Sequence, residues 1–399
     1  MKTAIFSYQN GDCRAHPGND AIDPSAINLV MAMGDKAMIA PADFYARLRR
    51  DYPRAEIVLC STAGEIFGDG VQEGSASVTA VEFEKTQVRS AQVNIDDFSG
   101  CSYEAGKALL GQLMAFEDLS YILVLSDGSS VNGSELVNGI NSEVQEKVLV
   151  TGGLAGDGTA FKSTLVGLNA QPGYGRIVAI GLYGGELQIS HGSMGGWESF
   201  GPERTISRSK GNQLFMIDDE YALDLYKKYL GPYADELPGS ALLFPLLVRV
   251  SNEEEPVVRT ILSIDEESRS MRFAGDVPEG ASVRFMKANF DRLVDAASAA
   301  AHQAITGGGV PEGGVTGGRV AEGGVVGGEP SLSLLISCVG RKIILGSRVS
   351  EEVEAVKDVF GAKTLVTGFY SYGEIAPHSS RVQCQLHNQT MTITNFSER

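Results

Sequence analysis

The strongest constraint on the fold is a short pattern that occurs three times along the chain. An apolar strand leads into a Ser/Thr/Gly-rich turn that ends in glycine and an acid, and a β-hairpin follows. The copies read EIVLCSTAGEI, KVLVTGGLAGD and TLVTGFYSYGEI, with the acids at Glu65, Asp157 and Glu374. LVTGG at Leu149 and LVTGF at Leu365 lie in different halves of the chain. This recurrence indicates duplication of one supersecondary unit, so two related halves are expected.

Hydrophobic periodicity fills the remaining chain with interleaved strands and helices. Short β-rich runs closed by turn residues predict buried strands at TAIFSY, EIVLC, YILVLS, KVLVTG, LSLLISC and TLVTG. Amphipathic spacing predicts helices over residues 41–50, 101–114, 134–145, 220–230, 289–305 and 350–360. Longer alternating runs such as SVTAVEF are typical of antiparallel strands with one buried face. The expected fold class is therefore α/β, with mixed β-sheets and helices packed on them.

The chain is long enough for two domains. Its 399 residues exceed what one hydrophobic core usually organises. The segment SFGPE follows the second hairpin, which predicts one domain over residues 1–200 and a second over residues 201–399. Within the second domain, residues 307–330 are Gly-rich and low in complexity, with almost no bulk to bury. Such a segment is typical of a flexible surface loop.

Charge and cysteine content exclude several classes of function. Thirty-three basic against fifty acidic side chains leave a formal net charge of -17, which repels nucleic-acid backbones and anionic membranes. The longest strongly apolar run, ALLFPLLV, is less than half of a membrane span. Five scattered cysteines without a Cys-x-x-Cys pair fit reduced thiols, so a cytoplasmic protein is expected.

The acidic turns have a structural and a functional interpretation. Clustered carboxylates can divide acid and base roles in catalysis. Each of these acids follows a glycine in a tight turn, however, where a carboxylate commonly accepts backbone N–H bonds. We favour the structural role, and the functional alternative is ligand contact from Tyr370, Ser371, Tyr372 and Glu374.

Cys338 and His387 are the other candidates for chemistry. Cys338 in ISCVGR is a possible nucleophile with His387 as its base, because neighbouring Arg341 would favour the thiolate. Burial of a small apolar side chain at a strand end explains Cys338 equally well. His387 is interpreted as a hydrogen-bonded structural residue, since strand alternation points it away from Cys384. The sequence holds no phosphate loop, nucleophile elbow or zinc-protease helix, so an enzyme is not expected.

Taken in order, several motifs resemble those of the FIST sensory domain pair, FIST N followed by FIST C. They are CSTAGEI, SHG followed by GW and Gly-Pro, ISCVGR, GFYSYGEIAP and LHNQT, and they span nearly the whole chain apart from the Gly-rich segment. The resemblance implies an intracellular ligand-sensing module of bacterial signal transduction. It further implies a separate partner protein, either a sensor histidine kinase or a cyclic-di-GMP enzyme, and it leaves a homo-oligomer open.

Within that family, HGSMGGWESFGPERTISRSKGN together with LHNQTMTIT is similar to the haem-binding, nitric-oxide-sensing branch. That likeness implies haem b held through its iron by His191, with nitric oxide as the ligand. The remaining residues of the implied haem site supply apolar walls and cations for the propionates, and they are Trp197, Phe200, Arg204 and Arg208.

Two alternatives stay open. A haem-free receptor for an amino-acid-like metabolite would use the residues of the third turn and its neighbour, namely Tyr370, Tyr372, Glu374 and His387. A thiol-dependent enzyme would instead need a reactive Cys338.

Overall fold

The fold comes from a computed structural model that describes residues 1–144, 148–251, 255–306, 330–377 and 383–399. The strands are β1 Lys2–Gln9, β2 Asp12–Ala15, β3 Leu29–Gly34, β4 Glu56–Ser61, β5 Glu65–Phe67, β6 Gly70–Gln72, β7 Ala76–Glu82, β8 Gln87–Asn94, β9 Leu119–Ser126, β10 Leu149–Leu154, β11 Val166–Leu168, β12 Arg176–Tyr183, β13 Leu187–Met194, β14 Glu198–Lys210, β15 Gln213–Ile217, β16 Glu220–Tyr221, β17 Leu246–Arg249, β18 Val257–Arg259, β19 Ile261–Asp265, β20 Ser270–Phe273, β21 Ser282–Lys287, β22 Leu332–Cys338, β23 Leu365–Ser371, β24 Gly373–Pro377, β25 Cys384–His387 and β26 Met391–Glu398. The helices are α1 Lys36–Ile39, α2 Ala42–Asp51, α3 Ser102–Leu113, α4 Gly133–Glu143, α5 Ala222–Leu230, α6 Phe290–Thr306, α7 Val339–Leu345 and α8 Val349–Phe360.

In the described residues, these strands form four sheets, and three of the sheets repeat one topology. Their orders are β11-β4-β3-β7-β1-β2 for the first, β25-β24-β10-β9-β12-β8 for the second and β13-β26-β22-β23-β5-β6 for the third. Each contains four strands a, b, c and d in chain order, arranged in space as c-b-d-a. Strands b and c are parallel, and the other pairs are antiparallel.

The three units exchange strands in a cycle. The hairpin β5–β6 leaves the first unit and pairs with β23 of the third sheet. The hairpin β24–β25 leaves the third unit and pairs with β10 of the second sheet. Strand β11 leaves the second unit and pairs with β4 of the first sheet. Because every sheet is completed by a neighbouring unit, we call these three sheets and their helices the ring.

The ring has one shared inner core and a helical exterior. Met31 of the first sheet, Leu123 of the second and Ile336 of the third belong to the same buried cluster. A small apolar cavity of about 10 Å³ lies within that core. Outside, the sheets are covered by α2, by α3 with α4, and by α6 with α8. Burial on both faces explains why strands such as β3, LVMAMG, have an almost continuous apolar sequence.

The fourth sheet is inserted between β13 and α6 of the third unit. Its order is β18-β17-β21-β14-β15-β20-β19, with β16 paired to β15. It has a core of its own, formed with α5 and including Phe273 and Phe285. We call β14 to β21 with α5 the inserted sheet. The chain enters it through residues 195–197 and leaves it through residues 288–289.

The predicted mixed α/β fold with helices on the sheets is confirmed. The six predicted helices begin and end within two residues of observed ones. One expectation needs correction: the unit occurs three times in the described residues, where two related halves were expected. The three turn motifs mark one unit each, but the copies share little further sequence and the insertion splits the third copy, so the sequence was interpreted as two halves. The predicted Gly-rich loop, residues 307–330, lies outside the described residues except for Pro330.

Candidate functional site

The residues predicted to bind haem are divided between the ring and the inserted sheet. His191 is on β13 of the ring, opposite Thr394 of β26. Half-buried Trp197 packs beside α6 and α7 and donates its indole N–H to the Gln389 carbonyl oxygen at 3.0 Å. Phe200 packs into the core of the inserted sheet. His191 and Phe200 thus belong to different parts of the fold, because the chain leaves the ring for the inserted sheet at residues 195–197.

The two predicted propionate partners have other contacts. Arg204 forms a 2.8 Å ion pair with Asp218 and donates to the Tyr229 hydroxyl at 3.0 Å. The guanidinium carbon of Arg208 lies 4.9 Å from the centre of the Phe215 ring. Both arginines therefore contact residues of the inserted sheet.

His191 itself has the chemistry of an iron ligand. Its Nε2 atom is buried and has no hydrogen-bond partner in the described part of the chain. Burial lowers the imidazole pKa to about 4, so the ring is neutral near pH 7. Strand alternation puts His191 on the same face as Ile189, which packs against the inner core of the ring. On the opposite face of β13, a Cβ at Gly192 would lie 2.0 Å from the Ala300 carbonyl oxygen of α6.

The cavity in the ring core is not a haem pocket. The cavity in the ring core measures about 10 Å³ and is lined by none of the five residues predicted to hold haem. Pockets for drug-sized ligands measure roughly 300–1,000 Å³. The ring-core cavity, by contrast, holds at most about one water molecule. His191 therefore supplies a suitable nitrogen, the ring-core cavity does not supply the space for a macrocycle, and we derive no step through haem.

The three acidic turns of the repeat meet at one end of the ring. Ala63 N donates to the Tyr370 carbonyl oxygen at 2.8 Å, and Tyr370 N donates to the Gly64 carbonyl oxygen at 2.9 Å. The second turn joins the first through Gly156 N and the Ser61 carbonyl oxygen, at 2.9 Å. The turns therefore form a single backbone-bonded cluster built from all three units.

Glu65 and Glu374 have matching roles in that cluster. Glu374 accepts from Ser371 Oγ at 2.7 Å and from Thr390 Oγ1 at 2.9 Å, which joins the turn to the start of β26. Glu65 does the same with Thr62 Oγ1 and with Ser75 Oγ, at 2.5 and 2.7 Å, just before β7. Burial raises the carboxyl pKa to about 8 for Glu374 and about 7 for Glu65, against the opposing effect of these hydrogen bonds. The hydrogen bonds of both carboxyl groups agree with the structural interpretation of the turns.

Tyr372 connects the second and third turns. Its hydroxyl accepts backbone N–H bonds from Asp157 and Phe161, each at 3.1 Å, and donates to the Asp157 carboxylate. The Phe161 ring stacks on the Tyr372 ring with centroids 4.6 Å apart, and 44% of Phe161 is exposed. Tyr372 is thus the member of the predicted ligand set that lies next to an exposed aromatic surface.

Tyr370 belongs to a buried polar network that the sequence did not reveal. Its hydroxyl donates to Glu352 Oε1 at 2.7 Å, and Glu352 forms a 2.7 Å ion pair with Arg341, both side chains being fully buried. Arg341 also donates to the carbonyl oxygens of Gly195 at 2.6 Å and Leu293 at 2.8 Å. One signal was available: Glu352 lies three residues after Val349 and four before Val356, on the apolar stripe of α8.

The thiol candidates lie in surroundings that disfavour reaction. Cys338 is buried at the end of β22, and burial with the nearby Glu374 charge raises its thiol pKa. His387 Nε2 lies 3.1 Å from the Ala376 carbonyl oxygen across the β24–β25 hairpin. No group of three or more His, Cys, Asp or Glu side chains in the described ranges is arranged to hold a metal ion. Among those residues, no helix is long and apolar enough to cross a membrane.

Comparison with known proteins identifies the family. The FIST N domain matches residues 28–220, and the FIST C domain matches residues 222–377. No curated protein gives a significant sequence match. Among solved structures, a cyanuric acid hydrolase from A. caulinodans is 9% identical with a TM-score of 0.36, covering 100% of this chain and 99% of its own. A second cyanuric acid hydrolase structure is 11% identical with a TM-score of 0.33, at 100% and 99% coverage. Because the two domain matches together span most of the chain, this protein belongs to the FIST family, whose domains are sensory domains of signalling proteins.

Proposed function

We propose that the chain is a non-enzymatic sensor that binds a small molecule and passes a change of conformation to a separate partner, a sensor histidine kinase or a cyclic-di-GMP enzyme. The FIST family supports the sensory role. A ligand can transmit a signal only if it binds two conformations with different affinity. The relevant question is therefore which part of the structure links a binding region to a movable part.

The observation that carries the proposal is the position of Arg341. It bonds to Gly195, where the chain enters the inserted sheet, and to Leu293, just after the chain returns. Through Glu352 it also reaches the Tyr370 hydroxyl of the third turn. A ligand that contacts the turn cluster beside Tyr370, at Tyr372 or Glu374, would thus act next to a network that holds both chain crossings.

The test uses the full chain and the free amino acids as probes. Thermal unfolding is measured with each of them, because a ligand that binds only the folded state raises Tm. For an amino acid that does so, we expect amide hydrogen exchange to change in the inserted sheet as well as in the turns. Tyr370→Phe removes only the bond to Glu352, so it should keep the rise in Tm and lose the response of the inserted sheet.

Tyr174→Phe is the matched control, because Tyr174 is 59% exposed and outside the network. It should retain both responses. If none of the amino acids raises Tm, an amino-acid-like ligand is excluded. If Tyr370→Phe retains the response of the inserted sheet, the network does not carry the signal.

A haem-bound nitric oxide sensor is the second candidate, favoured by the buried, unpartnered Nε2 of neutral His191. Titrating the purified chain with haemin should then produce a Soret band that changes with nitric oxide and is lost in His191→Ala. His302→Ala, at an exposed position of α6, should keep the band. Equal bands in both variants, or none in the parent chain, would contradict haem binding through His191.

A further inference from the structure

Buried polar atoms without partners are concentrated at Thr260 and in residues 385–389. Of the seven such side-chain atoms in the described residues, five belong to four residues, Thr260, Gln385, Asn388 and Gln389. Asn388 and Gln389 are fully buried, and Gln389 has no partner for either its amide nitrogen or its amide oxygen. A buried amide loses its bonds to water without replacement, which makes this arrangement unfavourable in the closed structure.

These four residues belong to chain segments that meet where the inserted sheet contacts the ring. Arg259 of β18 donates to the Leu386 carbonyl oxygen at 2.9 Å, next to Thr260 on one side and Gln385 on the other. Trp197, at the entry to the inserted sheet, donates to the carbonyl oxygen of Gln389 itself. Both stretches of chain thus lie at a junction between two parts of the fold that have separate cores.

The contacts that hold this junction in the described residues include the 2.8 Å ion pair of Arg292 with Glu198, the packing of Leu243 on α6 and α7, and a few hydrogen bonds. Besides the Arg259 bond, Asn132 Nδ2 donates to Asp276 Oδ1 at 3.2 Å, and Asp276 N donates to Ser134 Oγ at 3.2 Å. The chain crosses between the two parts at Gly195 and Gly196, the latter with φ of 80°. Two short crossings beside each other form the geometry of a hinge.

We propose that the inserted sheet is a lid, and that its opening exposes the Asn388–Gln389 pair as a ligand site for a small uncharged carboxamide or lactam. Such a molecule has an N–H donor beside a carbonyl acceptor, which matches the two free atoms of the Gln389 amide. The unpartnered atoms of Thr260, Gln385 and Asn388 are oxygens, which can accept hydrogen bonds from further N–H donors. Arg259 already donates to three carbonyl oxygens, of Val258, Asp276 and Leu386, so a carboxylate has no free cation there.

Ligands in proteins occur preferentially at domain interfaces. When a site is closed in the absence of its ligand, the open conformation is the minor one, and binding of the ligand makes it dominant. This inference deepens the proposed sensor function, on which it rests, by naming a second place for the ligand and a moving part.

The test compares matched pairs of probes on the full chain. Nicotinamide, benzamide and uracil are each paired with a carboxylate of the same skeleton, namely nicotinate, benzoate and orotate. At least one uncharged probe should raise Tm by about 2 °C or more at saturation, and its carboxylate partner should not. A rise with the carboxylates instead, or with none of the six probes, overturns the site as assigned.

Gln389→Met separates a ligand group from a structural one. Because its amide bonds to nothing in the closed state, the substitution should leave Tm unchanged or raise it, while abolishing the response to the uncharged probe. Gln213→Met is the control, since Gln213 Nε2 donates to Ser270 Oγ at 2.9 Å, and it should lower Tm and keep the response. If Gln389→Met lowers Tm as Gln213→Met does, or keeps the probe response, the inference fails.

The two proposals fail separately. An amino acid that raises Tm in both the parent chain and Gln389→Met would leave the sensor function intact and remove the lid site. Faster amide exchange at residues 385–390 than in the neighbouring ring strands, suppressed by the effective probe, would support the opening directly.

Discussion

At the residue scale, the molecule depends on buried acids that have specific partners. Glu65 and Glu374 hold their turns to the following strands, and Glu352 pairs with Arg341 inside the third unit. The two carboxyl groups have different partners, because Glu352 faces a guanidinium whereas Glu374 accepts hydroxyl and backbone N–H bonds from the described residues. Two predictions follow from that difference.

Glu374→Gln should flatten the dependence of stability on pH. The folded-state carboxyl pKa is raised to about 8 from 4.5, so the folded chain holds this proton more tightly than the unfolded chain. Its contribution is fully present below about pH 4.5 and is lost as pH rises to about 8, at no more than about 1.4 kcal/mol per pH unit. Urea midpoints across that range measure it. An unchanged slope in Glu374→Gln would contradict the prediction, and Glu65→Gln should act over a window that ends near pH 7.

Glu352→Gln should be strongly destabilising, because it leaves the fully buried Arg341 without a counter-charge. Removing one partner of such a pair typically costs about 3–5 kcal/mol in the free energy of unfolding. Its neighbour Glu351 pairs with Arg348 on the surface, so Glu351→Gln is the control and should shift the urea midpoint little. Equal midpoints for the two variants would show that the buried pair is not needed.

At the scale of elements, close packing of helix α6 on β13 depends on a glycine. A Cβ at Gly192 would lie 2.0 Å from the Ala300 carbonyl oxygen and 3.0 Å from Ala304 N. Alanines line the facing side of α6, so backbone approaches backbone along this contact. The same strand carries His191 on its other face, and the position of the imidazole therefore depends on this helix contact.

Gly192→Ala should destabilise the chain by about 1–3 kcal/mol or more, since helix backbone must move to admit one methyl group. Gly111→Ala tests the opposite case, because a Cβ at this exposed position of α3 meets nothing within 4 Å. Alanine is the better helix former there, so the control should stabilise slightly, by about 0.5–1 kcal/mol. Chemical denaturation of both variants measures the contrast, and a neutral Gly192→Ala would contradict the packing.

At the scale of the whole molecule, the exchange of strands among units makes the ring one cooperative body. Each sheet contains a strand from another unit, and all three share the inner core. The inserted sheet has a separate core and few polar contacts with the ring in the described residues. Local stability is therefore expected to divide between ring and inserted sheet, and not among the three units.

Phe369→Ala tests this division. Phe369 is fully buried in the inner core, so its loss should cost about 3–5 kcal/mol and lower amide-exchange protection in all three ring sheets together. Phe273→Ala, in the core of the inserted sheet, should lower protection mainly there. Loss of protection confined to the third sheet in Phe369→Ala would contradict a cooperative ring.

The sequence predicts the helices and buried strands of this protein better than it predicts which residues meet in the folded chain. Helices such as α3 and α8 were predictable because apolar residues recur at the helical period, and buried strands because β-rich runs end at turn signals. The convergence of Glu65, Asp157 and Glu374 in one cluster was not predictable, because it depends on which sheet each turn joins. The surroundings of His191 and Arg208 were not predictable for a related reason: the chain between these two residues crosses a boundary between two sheets.

The sequence by itself determined the local structure, the recurrence of the strand–turn–hairpin unit and the family, since these follow from periodicity, turn chemistry and short motifs. Only the tertiary structure decided the number of units, the cyclic exchange of strands, the burial of Arg341 with Glu352 and the unpartnered amides of Asn388 and Gln389. The physical reason is that hydrogen-bond partners and burial come from contacts between residues far apart in the chain, which local patterns do not encode.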